Sequence, residues 1–283
     1  MSTAPAPQQI VMTGASDGLG AESASQLAAQ GHDLVLSGRN PAKLAAVVER
    51  IRRESPGVQV RSFAADFADL DAVRRLADEV LEACPRIDVL LNNAGTIFMK
   101  RSVTAQGYES TFAVNHLAPF LFTELLVDRV TASGPGRIVN TASTMHYRGS
   151  IDFADLAYDN GYSGMKAYGR SKLATVMYTR DLATRLEGTG VTVNALHPGA
   201  VATSIYAVGP APVASAVKGL AGLVMMSAAK GGETLTHLAT GSDVADVTGT
   251  YFEKWKSKTP SKRALDDAAV KQLDQVSREM VKL

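Results

Sequence analysis

Short apolar runs rich in β-branched residues alternate with helical periodicity along most of the 283-residue chain. The runs predict seven strands, at residues 10–13, 34–36, 58–63, 89–91, 137–140, 191–196 and 250–252. Between them, apolar side chains recur at helical spacing, as in the stripe of Leu44, Val47, Val48 and Ile51. Regular alternation of strands and helices is typical of a parallel sheet.

The order of these elements predicts the fold class. Parallel strands are joined by right-handed crossovers, so the helices wind onto both sheet faces and the loops after the strands gather along one edge. We therefore expect a single-domain α/β protein of the Rossmann type, with a doubly wound, mainly parallel, seven-stranded sheet and helices on both faces. A ligand is expected at the edge where the loops gather.

Two further segments bear on domain organisation. Residues 1–9 are polar and contain proline, which predicts a disordered tail ahead of one domain over residues 10–283. They lack the charged start and apolar run of a secretion signal. The longest apolar stretch, 213–229, is interrupted by Lys218 and by small residues, and it falls short of a membrane-spanning helix. We therefore predict no integral membrane segment.

Composition argues against several functional classes. Basic residues number 29 and acidic residues 28, so no overall field attracts nucleic acid, and we predict no nucleic-acid partner. The single cysteine, Cys84, cannot form an internal disulfide, which fits a reducing compartment and predicts a cytoplasmic location. With one cysteine and no histidines at ligand spacing, the chain is predicted to hold no metal.

A glycine-rich turn, Thr-Gly-Ala-Ser-Asp-Gly-Leu-Gly at 13–20, joins the first predicted strand to the first predicted helix. Glycine allows a positive φ and lets the backbone approach a pyrophosphate, which the amides at a helix N-terminus then bind. The turn therefore predicts a dinucleotide site. A tight turn without a ligand is the alternative, because the spacing is GxxxGxG and not GxGxxG. The predicted contacts are Gly14, Ser16, Asp17, Gly18, Leu19 and Gly20.

The end of the second strand predicts which dinucleotide is bound. An enzyme that uses NAD places an acidic residue there against the ribose hydroxyls, but this chain has Ser37, Gly38 and Arg39. Gly38 leaves room for a 2′-phosphate, and the Arg39 guanidinium is a planar fork of donors suited to phosphate oxygens. NADP(H) is therefore favoured over NAD(H). A solvated surface arginine is the alternative interpretation of Arg39.

Tyr168 and Lys172 are four residues apart in a predicted helix, so both side chains project from one face. A free phenol, with a pKa of about 10, transfers protons poorly at neutral pH. A nearby ammonium group favours the ionised phenol and lowers its pKa, so the pair can act as acid and base. A surface pair with no chemical role is the alternative for the same spacing.

Several motifs follow one another along the chain. They are the glycine turn at 13–20, Asp66-Phe67, Asn92-Asn93-Ala94-Gly95, Asn115, Ser143, Tyr168-x-x-x-Lys172, and Pro198-Gly199 with Thr203. Together they resemble the short-chain dehydrogenase/reductase family over nearly the whole chain. The 24 residues between Ser143 and Tyr168, and the chain ending after Tyr251, resemble the branch of retinol dehydrogenases and WW-domain oxidoreductases.

This resemblance implies roles for the motif residues. The implied cofactor contacts are Asp66 and Phe67 at the adenine, Asn93, Ala94 and Gly95 beneath the adenosine ribose, and Pro198, Gly199, Val201 and Thr203 near the nicotinamide. Lys172 would bind the nicotinamide ribose, and Asn115 would anchor a water in a proton relay. Ser143 would polarise the substrate carbonyl, although an ordinary strand-end hydroxyl is the alternative for it. Tyr168 would donate the proton to the developing alkoxide.

The expected activity follows from these roles. We predict an NADP(H)-dependent oxidoreductase that transfers hydride between the nicotinamide and a carbonyl or alcohol of an apolar substrate, such as a retinoid, steroid, lipid aldehyde or ketone. Residues from about 203 to 229 are mostly apolar and resemble the family's substrate lid. Core packing or a subunit contact is the alternative for them, which leaves a homo-oligomer open. His146 is either a substrate contact or a loop histidine. An NADP(H)-binding sensor without chemistry is the alternative function.

Overall fold

The computed structural model describes residues 6–199 and 226–283. Within them, eight strands form one sheet in the order β3-β2-β1-β4-β5-β6-β7-β8. The strands are β1 Gln9–Met12, β2 Asp33–Gly38, β3 Val60–Ala64, β4 Val89–Asn92, β5 Arg137–Thr141, β6 Thr192–His197, β7 Tyr251–Glu253 and β8 Lys256–Lys258. Strands β1 to β7 are parallel, and β8 runs antiparallel to β7. The predicted doubly wound Rossmann-type fold is confirmed.

Helices cover both faces of the sheet. They are α1 Gly18–Ala29, α2 Pro41–Glu54, α3 Leu70–Ala83, α4 Ser110–Ala132, α5 Gly164–Arg185, α6 Ala228–Thr240 and α7 Asp267–Val281. Helices α1, α2 and α6 contribute to one apolar core, and α3, α4, α5 and α7 contribute to the other. Because side chains alternate along a strand, Val11 packs into one core while Ile10 and Met12 pack into the other.

Local signals explain where the helices begin and which face they bury. Helix α2 starts at Pro41 after the cap residue Asn40, whose side chain accepts a hydrogen bond from the Lys43 amide at 3.0 Å. The predicted stripe from Leu44 to Ile51 is buried against the sheet. These two features of the sequence therefore fold as predicted.

The sheet differs from the prediction at its edge, since it has an eighth strand. Residues Lys256–Lys258 pair with β7 after a turn in which Lys254 has a φ of 58°. All three β8 residues are exposed, so their sequence carries no apolar alternation from which a strand could be predicted. Lysines on an edge strand also discourage pairing with a second molecule.

The N-terminal boundary also differs from the prediction. The Gln9 amide donates to the Asp88 carboxylate at 2.6 Å, and the Asp33 amide donates to the Gln8 carbonyl at 2.9 Å. The predicted disordered tail at residues 1–9 is therefore wrong for its last two residues: Gln9 begins β1, an interior strand of the sheet, and Gln8 is hydrogen-bonded to β2. The polar side chains of this segment gave no sign of the pairing in the sequence, because the hydrogen bonds that hold the segment are made by its backbone.

Helix α4 is the one described helix that is long and apolar enough to cross a membrane. In this fold 78% of its most apolar window is buried inside the protein. The helix packs between α3 and α5, which is the pattern of a core helix. Its second turn, Ala113–Leu117, is π-helical and contains Asn115.

Candidate active site

A cleft of about 510 Å³ lies at the carboxyl edge of the sheet. The loops that follow β1 to β6 line it, together with Tyr168 and Lys172 of α5. Its volume is in the range of small-molecule sites, and its position is the edge where parallel α/β sheets bind ligands. The sequence predicted a ligand at this edge.

The glycine turn after β1 is packed too tightly to accept side chains. Gly14 has a φ of 66°, and a Cβ added there would lie 2.7 Å from the Cα of Ala94. A Cβ on Gly20 would lie 2.1 Å from the Gly14 carbonyl oxygen, so helix α1 begins almost in contact with the turn. The first amides of α1 therefore border the cleft without side chains in the way. This cradle fits the pyrophosphate of a dinucleotide.

The end of β2 forms one end of the cleft, where Gly38, Arg39 and Lys43 lie. A Cβ on Gly38 would lie 2.7 Å from the Oγ of Ser16. The space beside this glycine is therefore filled by the Ser16 side chain, and it is not left open for a 2′-phosphate. Ser16 and Arg39 both line this end of the cleft. Lys43 adds a second cation, whose ammonium group is 2.6 Å from the carboxylate of Asp17.

The loop after β4 is fixed by a threonine that the sequence analysis did not single out. The Thr13 hydroxyl accepts hydrogen bonds from the amides of Asn93 and Ala94, each at 3.1 Å. The Asn93 side chain in turn donates to the Gly14 carbonyl at 3.1 Å. These bonds hold the turns after β1 and β4 together, and so they form the floor of the cleft.

Lys172 is 3% exposed, yet its amine borders the cleft. The Nζ atom donates to the carbonyl oxygen of Thr141 at 2.7 Å and lies 5.7 Å from the centre of the Tyr168 ring. Burial lowers the pKa of Lys172 from 10.5 to about 8. A cation is thus held beside the phenol by the end of β5.

Asn115 does not line the cleft but lies directly behind it. Its side-chain oxygen accepts from the Thr96 amide at 2.8 Å, and its amide group donates to the Thr96 carbonyl and to the Ser171 hydroxyl. Both amide hydrogens are therefore used within the protein. The side chain ties α4 to the loop after β4 and to α5, and a water in the implied relay could bind either its oxygen, which accepts one hydrogen bond, or the Asn115 main-chain carbonyl.

Ser143 borders the cleft where β5 ends. It caps a short 3₁₀ turn, Thr144–Arg148, and its hydroxyl oxygen accepts from the Met145 amide at 3.2 Å. The hydroxyl hydrogen can therefore donate into the cleft. Ser143 and Tyr168 both line the cleft, and they reach it from different elements.

Comparison with known proteins places this site in a family. Residues 8–209 match the profile of the short chain dehydrogenase family. Retinol dehydrogenase 13 of Homo sapiens is 37% identical over 279 residues, which are 97% of this chain and 84% of that protein. The chain belongs to the short-chain dehydrogenase family. Retinol dehydrogenase 12 of Mus musculus is 36% identical and agrees with the predicted branch.

Solved structures share the fold of this chain. An uncharacterized protein from Mycobacterium Paratuberculosis superposes with a TM-score of 0.78 and 28% identity, over 97% of this chain and 93% of that chain. A short chain dehydrogenase from Burkholderia cenocepacia J2315, solved in complex with NADP, superposes with a TM-score of 0.68 and 28% identity, over 87% and 95%. This short-chain dehydrogenase is therefore an oxidoreductase that acts on a small molecule and binds a nicotinamide cofactor.

Most of the predicted site residues of this short-chain dehydrogenase meet at the cleft. Those that line it are Gly14, Ser16, Asp17, Gly18, Leu19, Gly20, Arg39, Asp66, Phe67, Asn93, Ala94, Gly95, Ser143, Tyr168, Lys172, Pro198 and Gly199. Val201, Thr203 and most of the predicted lid lie outside the described residues. Site residues that sequence reasoning missed include Thr13, Lys43 and Thr141. Lys43 could have been found, since it lies in the first turn of the helix that begins just after Arg39.

Proposed function

We propose that this short-chain dehydrogenase uses NADP(H) to interconvert a carbonyl and an alcohol on an apolar substrate, with Tyr168, Lys172 and Ser143 as catalytic residues. The observation that carries the proposal is the buried Lys172 amine, 5.7 Å from the Tyr168 ring at the edge of the cleft. A burial that removes an ammonium group from water is costly. A role in proton transfer at Tyr168 explains why an ammonium group is buried at this position.

Support for NADP(H) comes from the end of β2. Arg39 borders the cleft, as does Ser16, and β2 ends without the carboxylate that would oppose a 2′-phosphate. Lys43 can leave its exposed pair with Asp17 to meet the same phosphate, because an exposed ion pair contributes at most about 1 kcal/mol. The short chain dehydrogenase of Burkholderia cenocepacia, which shares this fold, binds NADP.

The catalytic steps assigned to this chain are proton steps. The bound cofactor supplies the hydride in reduction and accepts it in oxidation. In reduction, the Tyr168 hydroxyl donates its proton to the substrate oxygen, and the Ser143 hydroxyl donates a hydrogen bond to the same oxygen. The Lys172 ammonium, oriented by the Thr141 carbonyl, stabilises the phenolate that remains. In oxidation the same groups act in reverse order.

Support for an apolar substrate comes from two exposed methionines near Tyr168. Met165 lies one helical turn before Tyr168 and is 42% exposed, and Met99 is 49% exposed. Met99 packs against Gly164, the residue before Met165, since a Cβ on Gly164 would lie 3.2 Å from the Met99 sulfur. Exposed thioethers form adaptable apolar surfaces. The retinol dehydrogenases to which the chain is similar are named for an apolar alcohol.

The test is the Tyr168→Phe variant, assayed with NADPH and a panel of lipophilic aldehydes and ketones. We expect turnover to fall by roughly 10²- to 10⁴-fold, because the proton donor is lost, while NADPH binds as in the wild type. Tyr158→Phe is the control, since it removes a phenol hydroxyl outside the cleft lining. Undiminished turnover in Tyr168→Phe would rule out its assigned role. Tight NADPH binding by the wild type with no turnover of any carbonyl would favour a sensor.

A further inference from the structure

His146 is completely buried immediately beyond the predicted catalytic serine. It lies in the 3₁₀ turn that Ser143 caps, and its ring packs between Tyr147 and Tyr251, with ring centres 4.0 and 4.5 Å away. It is not among the residues that line the cleft. A direct contact with substrate, one of the two sequence-based interpretations, is therefore wrong, and the ring acts within the protein.

Both ring nitrogens of His146 are hydrogen-bonded to the backbone. The Nδ1 atom is 2.7 Å from the Ser143 carbonyl oxygen, and the Nε2 atom is 3.2 Å from the Ser261 amide nitrogen. A carbonyl can only accept and an amide can only donate. The ring is therefore neutral, with its proton on Nδ1. Burial lowers the pKa of His146, which favours the same neutral form.

The partner of Nε2 belongs to a distant part of the chain. Ser261 is 115 residues beyond His146 and follows strand β8. Two neighbouring bonds fasten the same two segments: the Tyr147 hydroxyl donates to the Thr259 carbonyl at 2.9 Å, and the Arg263 guanidinium donates to the Gly149 carbonyl at 3.1 Å. Of these three connections, the one through His146 continues to the Ser143 carbonyl.

The Ser143 carbonyl controls the direction of the Ser143 side chain. It accepts from the His146 amide at 3.0 Å as well as from the His146 ring. The direction of a carbonyl is set by ψ of its residue, which is 154° at Ser143. With the carbonyl held by two donors, ψ is held, and the Cα–Cβ bond keeps a constant direction relative to the cleft.

We propose that His146 is a positioning residue that orients the Ser143 hydroxyl toward the substrate oxygen, by linking the Ser143 carbonyl to the Ser261 amide. The proposal rests on the proposed role of Ser143. A hydroxyl that bonds the reacting oxygen acts most strongly when charge develops there, so its misplacement lowers kcat more than it raises KM. NADPH binding should be unaffected, because the glycine turn and Arg39 lie on other loops.

Two substitutions test the two hydrogen bonds of the His146 ring separately. In His146→Asn the side-chain amide can still donate at the place of Nδ1, and in His146→Gln the side-chain oxygen can still accept at the place of Nε2. We expect His146→Gln to lower kcat by roughly 10- to 100-fold, with KM and NADPH affinity little changed. His146→Asn keeps the bond to the Ser143 carbonyl and loses only the link to the Ser261 amide, so its loss of kcat should be smaller, about threefold. Equal kcat losses in both variants, in proportion to their thermal destabilisation, would overturn the proposal.

A double-mutant cycle with Ser143→Ala distinguishes a role of His146 in positioning the Ser143 hydroxyl from a purely structural role. This variant keeps the backbone carbonyl and removes the hydroxyl to be oriented. His146→Gln should then lower kcat by less than about twofold in the Ser143→Ala background, because coupled residues are not additive. Losses that multiply would overturn the proposal. If Ser143→Ala alone leaves kcat unchanged, the proposed role of Ser143 fails, and the positioning role fails with it.

If the His146 variants do not fold, the other end of the link can be tested with His146 intact. Ser261 has a φ of −60°, which proline also adopts, so Ser261→Pro keeps the backbone angle while it removes the amide hydrogen and places the proline Cδ against the His146 ring, which breaks the link. Ser261→Ala is the matched control, because it loses the same hydroxyl and keeps the amide. We expect kcat to fall at least about threefold further in Ser261→Pro than in Ser261→Ala. Equal values would contradict the link.

Discussion

Gly149 and Gly169 meet backbone to backbone, and a Cβ on Gly149 would lie 2.3 Å from the Gly169 carbonyl oxygen. Gly149 ends the turn that Ser143 begins, and Gly169 follows Tyr168 directly. The contact therefore sets the separation between the loop that carries one proposed catalytic hydroxyl and the helix that carries the other. Since φ of Gly149 is −70°, the requirement for glycine at this position is steric.

Replacing Gly149 with alanine should separate these two elements. We expect Gly149→Ala to lower the free energy of unfolding by about 1 to 3 kcal/mol, as overpacking does, and to lower kcat by roughly 100-fold through misplacement of Ser143. Gly57→Ala is the matched control, because Gly57 has nothing within 4 Å of an added Cβ. Wild-type kcat in Gly149→Ala would contradict the spacing role of this contact.

Arg39 should decide the preference for NADP(H). Removal of the guanidinium in Arg39→Ala should weaken NADPH binding by roughly 10- to 100-fold, the value of a hydrogen bond to a charged group, and should leave NADH binding nearly unchanged. Fluorescence titration of both cofactors measures the difference. Arg53→Ala, which removes an exposed arginine at the far end of α2, serves as the control for net charge. An equal effect on NADPH and NADH would refute the assignment.

The lowered pKa of Lys172 predicts a pH dependence for reduction. The ammonium group is present below a pKa of about 8 and is lost as the pH rises through it. Reduction needs this cation beside the Tyr168 phenol, so kcat/KM for the carbonyl substrate, which at saturating NADPH reports the enzyme–NADPH complex, should decline above about pH 8. A carbonyl substrate assayed at saturating NADPH over a pH series gives the profile. If kcat/KM instead stays constant until the pH approaches 10.5, the ordinary pKa of lysine, then the pKa of Lys172 is not lowered.

A buried ion pair should stabilise the long segment between Ser143 and Tyr168. The Arg170 guanidinium is 3.3 Å from the Glu109 carboxylate, and the exposed fractions of the two side chains are 3% and 0%. Arg170 also lies against the ring of Tyr158, 4.7 Å from its centre, within that segment. Glu109→Ala leaves this cation buried without its ion-pair partner and also removes the carboxylate that accepts from the Thr111 and Phe112 amides, so we expect the free energy of unfolding to fall by about 3 to 5 kcal/mol.

Denaturant unfolding compares this loss with that of a matched exposed pair. Glu54→Ala removes a carboxylate that is paired with Arg53 at the surface, where a loss of at most about 1 kcal/mol is expected. Similar losses in the two variants would show that the Glu109–Arg170 pair contributes no more than a surface pair.

The sequence by itself determined the features that local geometry controls. Short apolar runs predict β1 to β7 and helical periodicity predicts the buried stripe of α2, because each pattern depends only on neighbours along one element. The turn at Gly14 follows from a backbone conformation that glycine adopts readily. Tyr168 and Lys172 share a helix face because they are one turn apart. Resemblance to the family's motifs added predictions for the loops that line the cleft, which local patterns alone do not give.

Only the tertiary structure decided which distant groups meet. The Lys172 amine bonds the Thr141 carbonyl, the Thr13 hydroxyl holds the amides of Asn93 and Ala94, and His146 bonds the Ser261 amide. Each of these bonds uses a backbone group of the partner, which every residue except proline carries in the same form, so no residue type marks it. Such contacts arise when the crossovers bring the strand ends together at one edge of the sheet. The order of residues along the chain does not show which of these groups will be close in space.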